Sequence, residues 1–201
     1  FGARDIFGIK PFYYAQMNGT FLFGSEIKSF VEHPKFDKVF NEDALADYLS
    51  FQFVPTNETF FKRVFCLQPG HYFTYQNGTL SISRYYEPDF HGKTDKPFEE
   101  IVDDVERVMR ESVKMHKISD VEVGSYLSSG VDSSYMAYLG QVDRTFTVGF
   151  GEEKYSEIHD AKEFAKSIHM KNDSKIIEPD EYWDALSDIM YYICLLYTSD
   201  A

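Results

Sequence analysis

The chain has 201 residues, with 20 Lys and Arg against 33 Asp and Glu, for a formal net charge of −13. With no basic stripe to offset that charge, nucleic acid and anionic membrane surfaces are excluded as expected partners. Hydrophobic residues at 43% and aromatics at 17% supply a packed core and favour a β-rich portion with rings on sheet faces. No stretch of about 18 apolar residues marks a membrane span.

The sequence opens without Met at Phe1-Gly2-Ala3-Arg4 and carries no recognisable signal peptide, so a truncated N-terminus is expected. Arg4-Asp5 reads as a structural ion pair. Phe12 to Phe23 alternates with period two around Asn18-Gly19, which predicts a hairpin closed by a type I′ turn. Asn41 is expected to cap a short helix, with Glu42 and Asp43 in its positive first turn and Leu45, Tyr48 and Leu49 as its buried stripe. Cys66, inside Val64-Phe65-Cys66-Leu67, reads as a buried small hydrophobe. The two cysteines, Cys66 and Cys194, have no CxxC spacing, so neither a zinc site nor a disulfide framework is expected, and a reducing, cytoplasmic compartment fits. A second hairpin is predicted from His71 to Ser83, around Asn77-Gly78.

The polar stretch from His91 to Pro97 reads as an interdomain linker. Beyond it the period becomes helical: Phe98, Ile101, Val102, Val105, Val108, Met109 and Val113 define one amphipathic helix. Strands are then predicted at Val121–Leu127, Thr145–Phe150 and Ser174–Ile177, and helices at Ser133–Leu139, Ser156–Ile168 and from Asp180 onward. This βαβαβα order implies a parallel sheet with right-handed crossovers, in which ligands sit at the carboxyl ends of the strands. The fold class is thus α+β followed by α/β, with domains at 1–92 and 93–192. The last residues, 193–201, carry no cap or turn signal and are expected to be a non-native read-through tail.

One loop carries candidate chemistry. Leu127-Ser128-Ser129-Gly130-Val131-Asp132-Ser133-Ser134 joins a strand to a helix start through small residues. Small side chains let the backbone approach a phosphate, successive N–H groups converge on its oxygens, and the helix N-terminus adds a positive dipole end. A bare carboxylate repels phosphate, so Asp132 makes sense as a ligand of Mg²⁺ bridging the phosphates, or as a cap of the loop. No Gly-Lys-Ser/Thr comes after it, and GxGxxG spacing is absent. The competing reading is a Ser-rich turn with Asp132 as the N-cap.

Ser128 to Ser134 resembles the SGGxDSS pyrophosphate loop of ATP pyrophosphatases. Asp120-Val121-Glu122-Val123-Gly124 resembles the DVPVG segment of asparagine synthetases, and Phe146-Thr147-Val148-Gly149-Phe150 their FxVGF strand. Upstream, Arg4 to Tyr14 is similar to the RDxxGxxPLYY strand of the glutaminase domain, Phe23 to Ser29 to its FxSExKAL segment, and Leu67-Gln68-Pro69-Gly70-His71 to its LPPGH turn. On this resemblance the chain is an internal part of a glutamine-hydrolysing asparagine synthetase. It would comprise an antiparallel remnant of an N-terminal-nucleophile glutaminase followed by a Rossmann-like ATP pyrophosphatase domain.

The resemblance implies ATP and Mg²⁺, with aspartate and glutamine as further substrates, and leaves a homodimer open for the full-length protein. Ser128, Ser129, Gly130, Asp132 and Ser133 would hold pyrophosphate. Tyr126, Leu127 and the main chain of Val148 would line the adenine, and Asp132 would be the metal ligand. Ser129 replaces a Gly of the pattern; at positive φ it would cost on the order of 1 kcal/mol. The glutaminase nucleophile, an N-terminal Cys in the family, would lie upstream of Phe1, so this stretch alone is not expected to catalyse the full reaction.

Overall fold

The computed structural model describes residues 1–151 and 157–193. The chain divides into two compact units, Phe1–Gly92 (with residues 187–193 grouped with it) and Lys93–Leu186.

In the first unit, β1 (Gly2–Ala3), β5 (His71–Gln76) and β6 (Thr79–Arg84) form one antiparallel sheet in the order β1-β5-β6. A second antiparallel sheet, β3-β2-β4, comprises β2 (Tyr13–Met17), β3 (Thr20–Gly24) and β4 (Val64–Cys66). Both hairpins form as the Asn-Gly pairs require. Asn18 and Gly19 take φ of 52° and 70°, and Asn77 and Gly78 take 52° and 80°. These are the paired left-handed residues of a type I′ turn, whose twist matches the strands it joins.

Strand β2 is buried on both faces, and its period of two sorts its side chains between two clusters. Tyr13, Ala15 and Met17 pack with Ile27, Phe30, Phe36 and Val64, beneath the short helix α1 (Lys28–Val31). Tyr14 points the other way, to Leu67 and Phe73. There the rings of Phe21 and Tyr75 stack at 4.5 Å, and Phe21 meets Phe73 edge-on at 5.2 Å, joining the two sheets through an aromatic layer.

Three local expectations are corrected in this unit. Arg4 and Asp5 are not paired with each other. The Arg4 guanidinium donates to the carbonyls of Lys10, Leu67 and Gly8 at 3.0, 2.8 and 2.7 Å, while the Asp5 carboxylate accepts from the N–H groups of Ile9 and Lys10, both at 2.9 Å. Both side chains satisfy main chain in the tight 5–10 turn, where Gly8 has φ of 68°. Asn41 precedes α2 (Glu42–Phe51) without capping it; buried, it donates instead to Glu58 and to the Thr59 carbonyl, both at 3.1 Å. The buried residue of α2 is Ala44, whereas Leu49 is 73% exposed.

In the second unit, α3 (Phe98–His116) precedes β7 (Gly124–Tyr126), α4 (Val131–Gly140), β8 (Arg144–Phe150), α5 (Ile158–Ser167) and β9 (Asn172–Ile177); α6 (Pro179–Ile193) comes last. The three strands are parallel in the order β7-β8-β9. Consecutive order places both crossover helices on one face. Leu127, Ala137, Ala161 and Ala165 form the core there, over buried Thr145 and Thr147. Phe146, Val148 and Phe150 alternate to the opposite, exposed face. β7 is shorter than predicted because Asp143 ends the ladder: its carboxylate accepts the Val123 N–H at 3.1 Å and its own N–H bonds the Val123 carbonyl at 3.1 Å. The apolar stripe of α3 forms, but only Val113 is buried. The start of the predicted Ser156 helix and the expected tail from Cys194 onward lie outside the described residues.

Two measurements check the 5–10 turn. A Cβ on Gly8 would lie 2.7 Å from Pro69 and 3.1 Å from Arg4, whereas one on Gly19, at a similar φ, meets nothing within 4 Å. Gly19→Ala is therefore expected to cost about 1 kcal/mol of backbone strain in urea unfolding, and Gly8→Ala more. Burial tends to raise the Asp5 carboxyl, but the N–H groups of Lys10, Ile9 and Phe7 outweigh it and hold it below the ordinary carboxylate value. Its contribution is thus fully present above about pH 4 and lost as pH falls through the lowered folded value. Asp5→Asn is expected to flatten that acid limb of the stability curve. The group is only partly buried, so the effect is small.

Candidate functional site

The loop between β7 and α4 leaves the sheet at Leu127. Its N–H makes the last rung, to the Phe146 carbonyl at 2.8 Å. A parallel ladder would next bring the Val148 N–H to the Leu127 carbonyl. That bond is not formed, and the Leu127 carbonyl accepts instead from the buried Thr147 hydroxyl at 2.8 Å. The ladder therefore ends at the carboxyl end of β7, where the chain turns into the loop.

Serine hydroxyls shape the loop itself. Ser128 Oγ and Ser133 Oγ lie 2.8 Å apart, and Ser133 Oγ lies 3.1 Å from the Gly130 carbonyl. With one proton each, Ser128 can donate to Ser133, which donates to Gly130. The N–H of Ser128 donates to Ser133 Oγ and that of Gly130 to Ser128 Oγ, both at 3.2 Å. The Gly130 carbonyl also accepts the Ser134 N–H at 3.1 Å, the first bond of α4. A Cβ on Gly130 would stand 3.2 Å from Ser128 Oγ and crowd this arrangement.

The loop thus spends two of its amides on side-chain oxygens. Among the described residues, the N–H groups of Ser129, Val131, Asp132 and Ser133 have no protein acceptor. Three of them are the orphan donors of the first turn of α4, at its positive dipole end.

Asp132 is not the N-cap. Gly130 holds that position, with φ −70° and ψ 149°, and Asp132 lies in the first turn. Its carboxylate is exposed and has no ion pair or hydrogen bond among the described residues. Ser129 is not among the residues with positive φ, so it replaces glycine there without left-handed strain.

The other predicted residues fall around this loop in different ways. Tyr126 is 83% exposed, at the end of β7. Leu127 is a core residue whose N–H and carbonyl are both engaged within the protein. Val148 presents a half-exposed side chain on the open sheet face. Among the described residues no cluster of three or more His, Cys, Asp or Glu side chains forms a metal cage.

Three residues not singled out from the sequence form a polar network, joined through Thr147 to the strand end ahead of the loop. The Asn172 amide on β9 donates to Thr147 Oγ1 at 2.9 Å and to Thr145 Oγ1 at 3.0 Å. The signal was present as Thr145-x-Thr147, two hydroxyls on the inward face of a buried strand. Asn172 Oδ1 is buried without a partner, a desolvation cost of about 1–3 kcal/mol. In the first unit, Cys66 is half-buried rather than buried, with Arg4 Nη1 3.1 Å from its sulfur, and it lines an open cavity of about 530 Å³ with Pro55, Asn57 and Gln68.

Residues 1–86 match the glutamine amidotransferase domain family and residues 104–201 match the asparagine synthase family. An amidotransferase domain followed by a synthase domain is thus the class of protein in hand. The chain is 37% identical to asparagine synthetase [glutamine-hydrolyzing] 1 of Bacillus subtilis, over 96% of this chain and 31% of that protein. It is 35% identical to a putative asparagine synthetase [glutamine-hydrolyzing] of Mycobacterium bovis, with the same coverage of 96% and 31%. A stretch covering 67% of the chain and 20% of the relative is 34% identical to amidase chyE of Penicillium rubens. The chain belongs to the glutamine-hydrolysing asparagine synthetase family. It spans 31% of the length of the first of these relatives. Among the described residues, no helix is long and apolar enough to cross a membrane.

Ser133→Ala removes the hydroxyl that holds the Ser128 amide. Losing one such bond, worth about 1 kcal/mol, is expected to speed hydrogen exchange at Ser128 roughly fivefold while amides in β8 keep their protection.

Proposed function

We propose that the protein is an ATP-dependent, glutamine-hydrolysing ligase that amidates aspartate. In this reading residues 1–92 belong to a glutaminase domain and 93–192 to a Rossmann-like ATP pyrophosphatase domain. The observation that carries it is the set of unspent amides at Ser129, Val131, Asp132 and Ser133, gathered where a parallel strand hands over to a helix. Such a group is suited to a polyphosphate, because the donors are already oriented and the helix dipole has the right sign.

In the proposed reaction an oxygen of the aspartate side chain attacks the α-phosphorus of ATP, and the bond to pyrophosphate breaks. Ammonia then attacks the acyl carbon and AMP leaves, carrying the oxygen that a free carboxylate could not release. The loop amides stabilise charge that grows on the departing pyrophosphate, a stabilisation greater in the transition state than in the ground state. The free Val148 N–H position, off the end of the ladder, is where the adenine edge would find a main-chain partner.

The residues present fit Mg²⁺. Asp132 offers one exposed, unpaired carboxylate beside the loop, and this ion is commonly held by one or two carboxylates together with substrate phosphates. When bound, it supplies charge neutralisation of the phosphates. Asp132 then no longer opposes the polyanion.

Backbone amide shifts during titration with MgATP test the site. Ser129, Val131, Asp132 and Ser133 are expected to move at millimolar nucleotide, and Asp132→Asn to weaken binding by about tenfold, near 1.4 kcal/mol. Unchanged shifts at these four amides in saturating MgATP would sink the reading. A different acceptor carboxylate is the second reading, one that keeps the adenylation chemistry of the loop and changes only the acid. ATP–pyrophosphate exchange by the intact enzyme, with aspartate against other acids, separates the two.

A further inference from the structure

We propose that Thr147 is a positioning residue for the nucleotide-facing loop, set in place by Asn172. The inference rests on reading 128–133 as a phosphate site and names what aims it. Four hydrogen bonds tie β8 to the chain on either side of it. Asn172 Nδ2 donates to Thr147 Oγ1 at 2.9 Å, and Thr147 Oγ1 donates to the Leu127 carbonyl at 2.8 Å. The second proton of the same amide goes to Thr145 Oγ1 at 3.0 Å, and Thr145 Oγ1 donates to the Lys171 carbonyl at 3.1 Å.

Proton counting fixes the direction of this chain. Asn172 supplies two N–H donors from one nitrogen, and each hydroxyl accepts one of them. Each hydroxyl must then place its single proton elsewhere. For Thr147 that is the Leu127 carbonyl, and this engagement stands where the Val148 N–H rung would otherwise form. The peptide between Leu127 and Ser128 is the last before the loop, so the orientation of its carbonyl sets the direction in which the following amides leave the sheet. The buried Oδ1 of Asn172, without a partner, is the cost of holding the amide with both N–H groups toward the threonines. A side chain kept only for packing would not need that orientation.

Thr145 supplies an internal control. It shares the strand, the sheet face and the Asn172 donor, but its proton goes to the Lys171 carbonyl, just ahead of β9. The test compares Thr147→Val, Thr147→Ser and Thr145→Val in the whole chain, by amide shifts without nucleotide, by MgATP affinity and by thermal midpoint. Thr147→Val is expected to displace the amide shifts of Ser128 to Ser133 and to weaken MgATP about tenfold. Thr147→Ser, which keeps the hydroxyl, should stay within about twofold of the parent. Thr145→Val should lower the thermal midpoint while leaving loop shifts and affinity in place. Parent-like loop shifts in Thr147→Val would overturn the proposal, and so would equal loss of affinity in Thr145→Val. Displaced shifts in Thr147→Ser would overturn it even if the valine variant failed to fold. Should the parent bind no MgATP, the functional reading fails, and the nucleotide-free shifts still decide whether Thr147 aims the loop.

Discussion

The handover at Leu127 is the constraint on which the second unit turns. Its N–H closes the β7–β8 ladder and its carbonyl leaves it. Main-chain donors are obligatory hydrogen-bonding groups, so a segment that stops pairing with its neighbour strand must bond elsewhere or face water. Here the two outcomes are divided by residue. Ser128 and Gly130 bond to hydroxyl oxygens, and the next helix turn leaves its donors open at the surface. Hydroxyls can brace a loop in this way without consuming the amides a ligand would use, because each offers acceptor lone pairs as well as a proton. A lysine or arginine in the same place would add charge but could accept nothing.

Local geometry also explains how an acidic chain can suit a polyanion. A net charge of −13 is a statement about the whole surface, and at physiological salt exposed charges are largely screened beyond about 8 Å. In the proposed site a phosphate would meet the first turn of α4. Asp132 is the exception inside that turn. A carboxylate is favourable at a helix N-terminus, so its presence stabilises the empty helix and competes with a bound anion. A divalent cation would remove that conflict, so the same residue is coherent both in the empty helix turn and in the proposed nucleotide site.

Legibility in the sequence tracked the range of the interaction. Both hairpins could be read because Asn-Gly fixes its own φ values from two residues. The strand–loop–helix of 124–140 could be read because composition and order lie within one short segment. Arg4 and Asp5 misled because adjacent opposite charges suggest each other, whereas the partners that matter are carbonyls and N–H groups brought round by the turn at Gly8. Asn41 misled for a related reason: buried beside Glu58 and Thr59, its amide bonds across the chain instead of to its own helix. The Thr147–Asn172 link spans 25 residues and depends on register, pairing Thr145 with Asn172 across β8 and β9, which no local pattern encodes.

The same register decides what stands beside the site. Residues paired in a parallel ladder share a face, so Tyr126 lies with Phe146 on the side opposite α4 and α5, next to Val148 and Phe150. Polar Thr145, Thr147 and Asn172 occupy the helix-covered face of β8 and β9, and Phe146, Val148 and Phe150 occupy the other, apolar residues of the kind found in parallel sheets that are covered on both sides. Hydroxyls can lie beneath helices only because each finds a partner there, chiefly through Asn172. On the covered side Thr147 gives its proton to the Leu127 carbonyl ahead of the loop, and on the other the register brings Tyr126, Phe146 and Val148 onto one face. In the nucleotide reading these two features would serve different parts of one ligand, the apolar side chains a flat ring and the unspent amides of the first turn of α4 its phosphates.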